Sequence, residues 1–251
     1  MRSSTLSRIL LSLSIVAVSL AACKDDEYLT VAPPVPDASF VEEFDTATAA
    51  YDRGWRYLNV SAPLGQDMWI QGLFNNPTVT GFASPIPFPA HSSKGSYVGY
   101  IGTTYLSTSA GAGIISNWVV SPVTMMRNGD RVVFYTRTLV FDLGTGDSTD
   151  FSNRLQVRTS VGDGLDVGSG DNPGSFTKVI LDINPTYKEY HTAVIDPLAY
   201  PNTWTRFEAL VGGLSKPTMG RFAFRYFVEG GGSAGLGTAA AIDSVAYISA
   251  R

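Results

Sequence analysis

The side chains able to do chemistry are few, and their spacing argues against each reaction in turn. Of the two histidines, His91 stands in a Pro/Ser-rich stretch and His191 follows Lys188-Glu189-Tyr190. Neither has a second His or Cys at metal-ligand spacing, so the ligand set of a zinc enzyme is not assembled. Gly231-Gly232-Ser233-Ala234-Gly235 matches the G-x-S-x-G pattern of a nucleophile elbow. That motif needs a strand-to-helix turn and a triad histidine, whereas here it joins two stretches of strand character and reads as a glycine-rich β-turn. Glycoside hydrolysis needs two carboxyl groups about 5–10 Å apart. Glu42 and Glu43 are neighbours on a strand-like segment and so point to opposite faces, while Glu208 and Glu229 lie on separate strands with nothing to single them out. The reading is a chain without catalytic residues.

Binding is better supplied. The four tryptophans, Trp55, Trp69, Trp118 and Trp204, have faces suited to stacking on a sugar ring, but large aromatics are major core fillers and the core is the favoured place for them. Aromatics in loops are the stronger candidates for a binding surface: Phe74, Phe82, Phe88, Tyr105 and Phe151. Two acidic, glycine-rich stretches, DLGTGDSTD at 142–150 and GDGLDVGSGDN at 162–172, hold several oxygen donors of the kind calcium accepts. Neither has EF-hand spacing, and solvated turns are the favoured reading.

These residues must be held by strands. The chain has 25 glycines and 14 prolines punctuating short runs of Val, Ile, Phe, Tyr and Thr, with no sustained helical period. In RFAFRYFVEG, Phe222, Phe224, Tyr226 and Val228 fall on one face and Ala223, Arg225 and Phe227 on the other. NRLQVRTS alternates likewise, with Leu155 and Val157 inward. Further strands are expected at 40–45, 55–60, 67–71, 97–101, 114–120, 131–141, 176–182, 204–211 and 239–248. The fold class predicted is all-β, a two-sheet antiparallel jelly-roll β-sandwich. Its acidic balance, 18 basic against 22 acidic side chains, does not favour nucleic acid.

The N-terminus has its own logic. Arg2, Arg8 and the apolar run ILLSLSIVAVSL, then small residues, make the layout of a secretory signal over residues 1–22. Leu20-Ala21-Ala22-Cys23 resembles a lipobox, so Cys23, the single cysteine, is the expected lipidation site and first mature residue. Lys24-Asp25-Asp26-Glu27 resembles the signal that sends Bacteroidota-type lipoproteins to the outer face of the outer membrane; the alternative is a charged stretch that keeps the tether solvated. Residues 23–39, Pro-rich from Tyr28 on, are expected to form a stiff tether, with one domain over 40–251.

EEFD with GWRYLN, then MWIQG, IISNWVVSPV, NGDRVVFYTRT, NRLQVRTS, FTKVILDINP, YPNTWTRFEALVGGL, GRFAFRYFVEGGG and IDSVAY occur in one order that resembles choice-of-anchor J domains, relatives of cleaved-adhesin and MAM-type jelly rolls. The resemblance spans nearly all of residues 40–248. It implies an extracellular, non-catalytic adhesive or carbohydrate-binding module, with a glycan or a host or matrix protein as partner and the outer membrane reached through the lipid. A structural accessory subunit of a surface assembly, or a glycoside hydrolase, are the alternatives. Asp45 and Asp243 match acidic positions of MAM-like domains on the first and last strands, which implies one shared structural calcium ion; the alternative is that Asp45 starts a turn and Asp243 accepts hydrogen bonds from a neighbouring loop. No organic cofactor is implied. The chain departs from its relatives at Asn153, often Asp, and in the last loop, GSAGLGTAAAID, which lacks their Asn-Ser-Asp cluster.

Overall fold

The computed structural model of the chain describes residues 35–72, 89–92 and 99–250. Pro36–Arg251 form one compact unit. It is an antiparallel β-sandwich of the jelly-roll kind, as the strand pattern predicts. One six-stranded sheet runs in the order β14 (Thr205–Leu210), β7 (Arg131–Arg137), β16 (Ala239–Ile248), β4 (Ile101–Thr104), β3 (Ile70–Gln71), with β1 (Phe40–Glu42) also paired to β16. The other runs β11 (Lys178–Ile183), β10 (Leu155–Val161), β15 (Thr218–Gly231), β5 (Gly113–Val120), β2 (Arg56–Asn59), with β6 (Thr124–Met126) on β15.

Strand alternation fills the space between the sheets. Phe222, Phe224, Tyr226 and Val228 of β15 all point into the main core, facing Phe134 of β7 and Ile242 and Tyr247 of β16. Phe40, Phe222 and Tyr247 lie nearly parallel, with Phe222 and Tyr247 centroids 5.8 Å apart and 6° between planes. Trp55 stands edge-on to Phe40, Phe44 and Phe222. In β16 the inward parity changes from Ala240 and Ile242 to Val245 and Tyr247, because a bulge against β7 falls between Asp243 and Ala246.

The second sheet is also covered on its outer side. The 162–177 segment drops Val167 and Phe176 onto Trp118, Val120 and Ala223. Arg225, buried there, stacks over Phe227 at 3.8 Å and Trp118 at 4.9 Å, and its Nη2 donates to the carbonyls of Gly170 and Asp171. Burial, with Arg158 and Arg154 nearby, pushes its pKa down to about 9.

Several expected bounds shift. The 131–141 strand divides: β7 stops at Arg137, and Phe141 opens β8 (Phe141–Asp142), which joins β9 (Ser148–Thr149), β12 (Tyr190–His191) and β13 (Val194–Ile195) in a small third sheet. The first strand stops at Glu42, and a six-residue helix α1 (Ala47–Asp52) follows that no periodicity announced. The strand expected at 97–101 is seen at Ile101–Thr104, its start lying outside the described residues. Ala38 N–H donates to Ser249 Oγ and Ser249 N–H to Ser39 Oγ, which ties residues 38 and 39 to the chain just beyond β16.

Candidate functional site

Beside the third sheet is an open groove of about 490 Å³, within the range of small-ligand sites. Three rings line it: Tyr105, at the start of a 3-10 turn after β4; Phe141, of β8; and Phe151, just beyond β9. Phe141 and Phe151 meet edge to face with centroids 5.9 Å apart. The rest of the lining is the turn 232–235 with Gly237 and Thr238. Phe151 is 37% exposed. The lining is therefore made of aromatic rings, the Ser233 hydroxyl and bare backbone, the Thr238 hydroxyl being spent on Asn153 and the Leu139 and Asp150 carbonyls, with no carboxylate, imidazole or amine among its residues.

Holding Phe151 in place requires an unfavourable backbone. Phe151 and Ser152 have φ of 50° and 63°, a left-handed conformation that costs on the order of 1–3 kcal/mol for a non-glycine residue. The surroundings fix it. Phe151 N–H donates to Thr149 Oγ1, and its carbonyl accepts from Gly237 N–H at 2.6 Å. The buried Asp150 carboxylate takes N–H groups of Ser152 and Tyr190, and burial raises its pKa against those hydrogen bonds. Gly237 is itself dictated: its φ is 88°, and a Cβ there would lie 2.6 Å from the Tyr226 hydroxyl.

Asn153 ties this region to both sheets. Its Oδ1 accepts from Tyr226 Oη at 2.7 Å and from the N–H groups of Thr238 and Ala239. Its Nδ2 donates to Thr138 Oγ1, the Asp150 carbonyl and Thr238 Oγ1. Backbone N–H groups must donate, so the amide orientation is set by the network. An ionised aspartate in its place would have no hydrogen for the second set.

No protein-family model and no curated protein matches the chain. Among solved structures, it is similar to the K3 and K1 cleaved adhesin domains of Lys-gingipain from Porphyromonas gingivalis W83. The K3 domain is 15% identical with TM-score 0.47, over 86% of this chain and 99% of that one. The K1 domain is 17% identical with TM-score 0.47, over 85% and 99%. A β-sandwich carbohydrate-binding module follows at 12% identity and TM-score 0.41, over 86% and 64%. The functional reading rests on the groove's own residues.

Of the five loop aromatics expected to bind, the groove brings Tyr105 and Phe151 together; Phe74, Phe82 and Phe88 lie outside the described residues, as do Cys23, Lys24, Asp25, Asp26 and Glu27. Phe141 was missed because Leu139-Val140-Phe141 continues an apolar run; the Asp142–Gly146 turn signal after it was the available clue. Ser233 is exposed on a strand-to-strand turn, and among the described residues no hydrogen bond joins it to either histidine. His91 stacks on Tyr135 at 3.6 Å and His191 Nε2 lies 3.0 Å from Asp147. Trp55, Trp69 and Trp118 are buried as expected, whereas Trp204 is half-buried on the outer face of the first sheet, edge-on to Tyr100.

The carboxylates serve the fold. Glu42 takes a two-pronged bond from Arg53, Glu208 pairs with Arg206 and Arg131, and Glu229 with Arg154. In the glycine-rich stretches Asp142 and Asp166 cap their own turns by accepting from Gly144 and Gly168 N–H. Among the described residues, no three His, Cys, Asp or Glu are grouped to hold a metal ion. Asp45 is exposed. Asp243 is buried, and its Oδ2 accepts from His91 N–H at 2.7 Å and from Ser92 N–H and Oγ, while Oδ1 accepts from Ser244 N–H. Burial, opposed by those bonds, pushes its pKa up to about 6.

Proposed function

We propose that the chain is a surface-exposed outer-membrane lipoprotein, anchored through Cys23 and exported by Lys24–Glu27, whose sandwich is a non-catalytic module that takes a neutral carbohydrate in the groove of Tyr105, Phe141 and Phe151. The observation carrying the binding role is the groove's lining: three rings beside hydroxyl and backbone groups, without a charged side chain. A pyranose presents C–H faces to aromatic rings and hydroxyls to polar groups, and that lining offers both. The left-handed backbone at Phe151 supports the same role, because a costly conformation that presents an apolar ring to solvent calls for a ligand. A glycan array probed with the full chain tests it. The expected result is a set of bound neutral glycans whose affinity falls at least tenfold in Phe151→Ala, about 1.4 kcal/mol; silence across the array, or equal binding by the variant, rejects the groove as a carbohydrate site.

A further inference from the structure

Beyond Ser233 lies a second hollow of about 410 Å³, lined by Leu64, Gln66, Leu106, Thr108 and Ser109 together with Ser233 itself. Ser233 lines both hollows, and Tyr105 of the first is followed directly by Leu106 of the second. A seam of backbone hydrogen bonds ties together the segments that line the two hollows. Gly65 N–H donates to the Ser107 carbonyl, Gln66 N–H to the Leu106 carbonyl, and Ala234 N–H to the Gly111 carbonyl. Gly232 sits so close to this seam that a Cβ would lie 2.3 Å from the Ala110 carbonyl oxygen, at a φ of 137°. The two linings are therefore held together by backbone before any ligand arrives, which favours a ligand that touches both.

The two hollows differ in what they offer. Aromatic faces dominate the first. In the second, the Gln66 amide and the Ser109 hydroxyl are exposed and, like Ser233, make no side-chain hydrogen bond among the described residues, whereas Thr108 Oγ1 is committed to the Pro63 carbonyl. An aromatic platform continued by uncommitted amide and hydroxyl groups matches a chain whose units each carry an apolar face and a rim of hydroxyls. We propose that the hollows are adjoining subsites of one cleft, and that its ligand is an oligosaccharide long enough to cross Ser233. This rests on the carbohydrate reading of the first groove.

Calorimetric titration of the full chain with gluco-, manno- and xylo-oligosaccharides, from disaccharide to hexasaccharide, tests it. The expected result is a Kd that falls at least tenfold with length and then levels. Ser109→Trp, which fills the second hollow, removes that gain and leaves the disaccharide Kd within about twofold; Phe151→Ala weakens every length. The paired Gln66→Ala, Ser109→Ala variant, which adds no bulk, provides the same test if the tryptophan disturbs folding: it should weaken the longer chains only. A Kd independent of length, with Phe151→Ala still damaging, overturns the second subsite and leaves the groove intact. Equal weakening of short and long chains by both second-hollow variants also overturns it. Failure of every length to bind overturns the carbohydrate reading and the cleft together.

Discussion

Along β15, four residues separate two differently built regions. At Phe222 the sandwich is filled by rings, with Phe40, Trp55 and Tyr247 packed against it and no polar partner needed. At Tyr226 the phenol reaches Asn153, and the neighbourhood is held by directed bonds to Thr138, Asp150, Thr238 and Ala239. Apolar burial is non-directional and its surroundings can relax after a loss, whereas a buried polar network must be satisfied at every member. The first region keeps the sheets together. The second fixes a strained loop so that Phe151 faces solvent beside Phe141. Stability and site geometry are thus carried by neighbouring stretches of the same strand through different forces.

The largest expected effect tests the aromatic region. Trp55→Ala should cost about 3–5 kcal/mol in denaturant unfolding, the usual range for an aromatic truncated in a core; a loss below about 1 kcal/mol would show that the rings are not the main support. Asn153→Asp should cost less, about 1–3 kcal/mol at neutral pH, because it removes the amide donor to the buried Thr138 and Thr238 hydroxyls and leaves the Asp150 carbonyl with Thr238 Oγ1 alone. It also carries a pH signature. The new carboxyl would be buried beside Asp150, whose own pKa is already raised by burial, so its folded-state pKa lies above the ordinary carboxylate value of about 4. A raised acid is tolerated below that value and loses stability as pH rises through its folded pKa. The variant's deficit relative to wild type should therefore grow between pH 4 and 7, and a deficit that is flat with pH would mean that Asn153 acts by shape alone.

This contrast also decides what the sequence made legible. The β15 alternation and the 239–248 strand are plain in the sequence because a two-residue period follows from burying one face. The third sheet was not, since strands of two residues have no period to read. At the site, loop aromatics and a glycine turn pointed to Tyr105, Phe151 and 231–235, but the apolar run hid Phe141, and nothing local marks Asp150 and Asn153 as partners of Tyr226 and Thr238, more than 70 residues away. Arg225 is the same case: its outward register was clear, but the segment that buries it comes from 170–171, across a loop with no packing signal of its own.

The smallest expected effect asks whether the pattern at Asn153, a polar group satisfied wholly by the protein, holds elsewhere. The first and last strands do lie side by side, with Glu42 opposite Val245, as a calcium ion shared by Asp45 and Asp243 requires. An ionised carboxylate has about four lone-pair sites. Asp243 Oδ2 is saturated by His91 N–H, Ser92 N–H and Ser92 Oγ, which hold residues 91–92 onto β16, and Oδ1 accepts from Ser244 N–H, which leaves one site, on Oδ1. A cation held by both oxygens would have to displace the donors on Oδ2, while Asp45 remains exposed. Calcium should therefore leave the melting temperature unchanged. The comparison must be made above the pKa of Asp243, which is about 6, because a protonated carboxyl would hide a real site. An ion bound only to the folded state would add RT ln(1 + [L]/Kd), about 2.7 kcal/mol at a hundredfold excess over Kd, which is ample to detect. A rise in melting temperature that disappears in Asp45→Ala would show that the carboxylate gives up its loop for an ion, and that the self-contained network at Asn153 is peculiar to the groove.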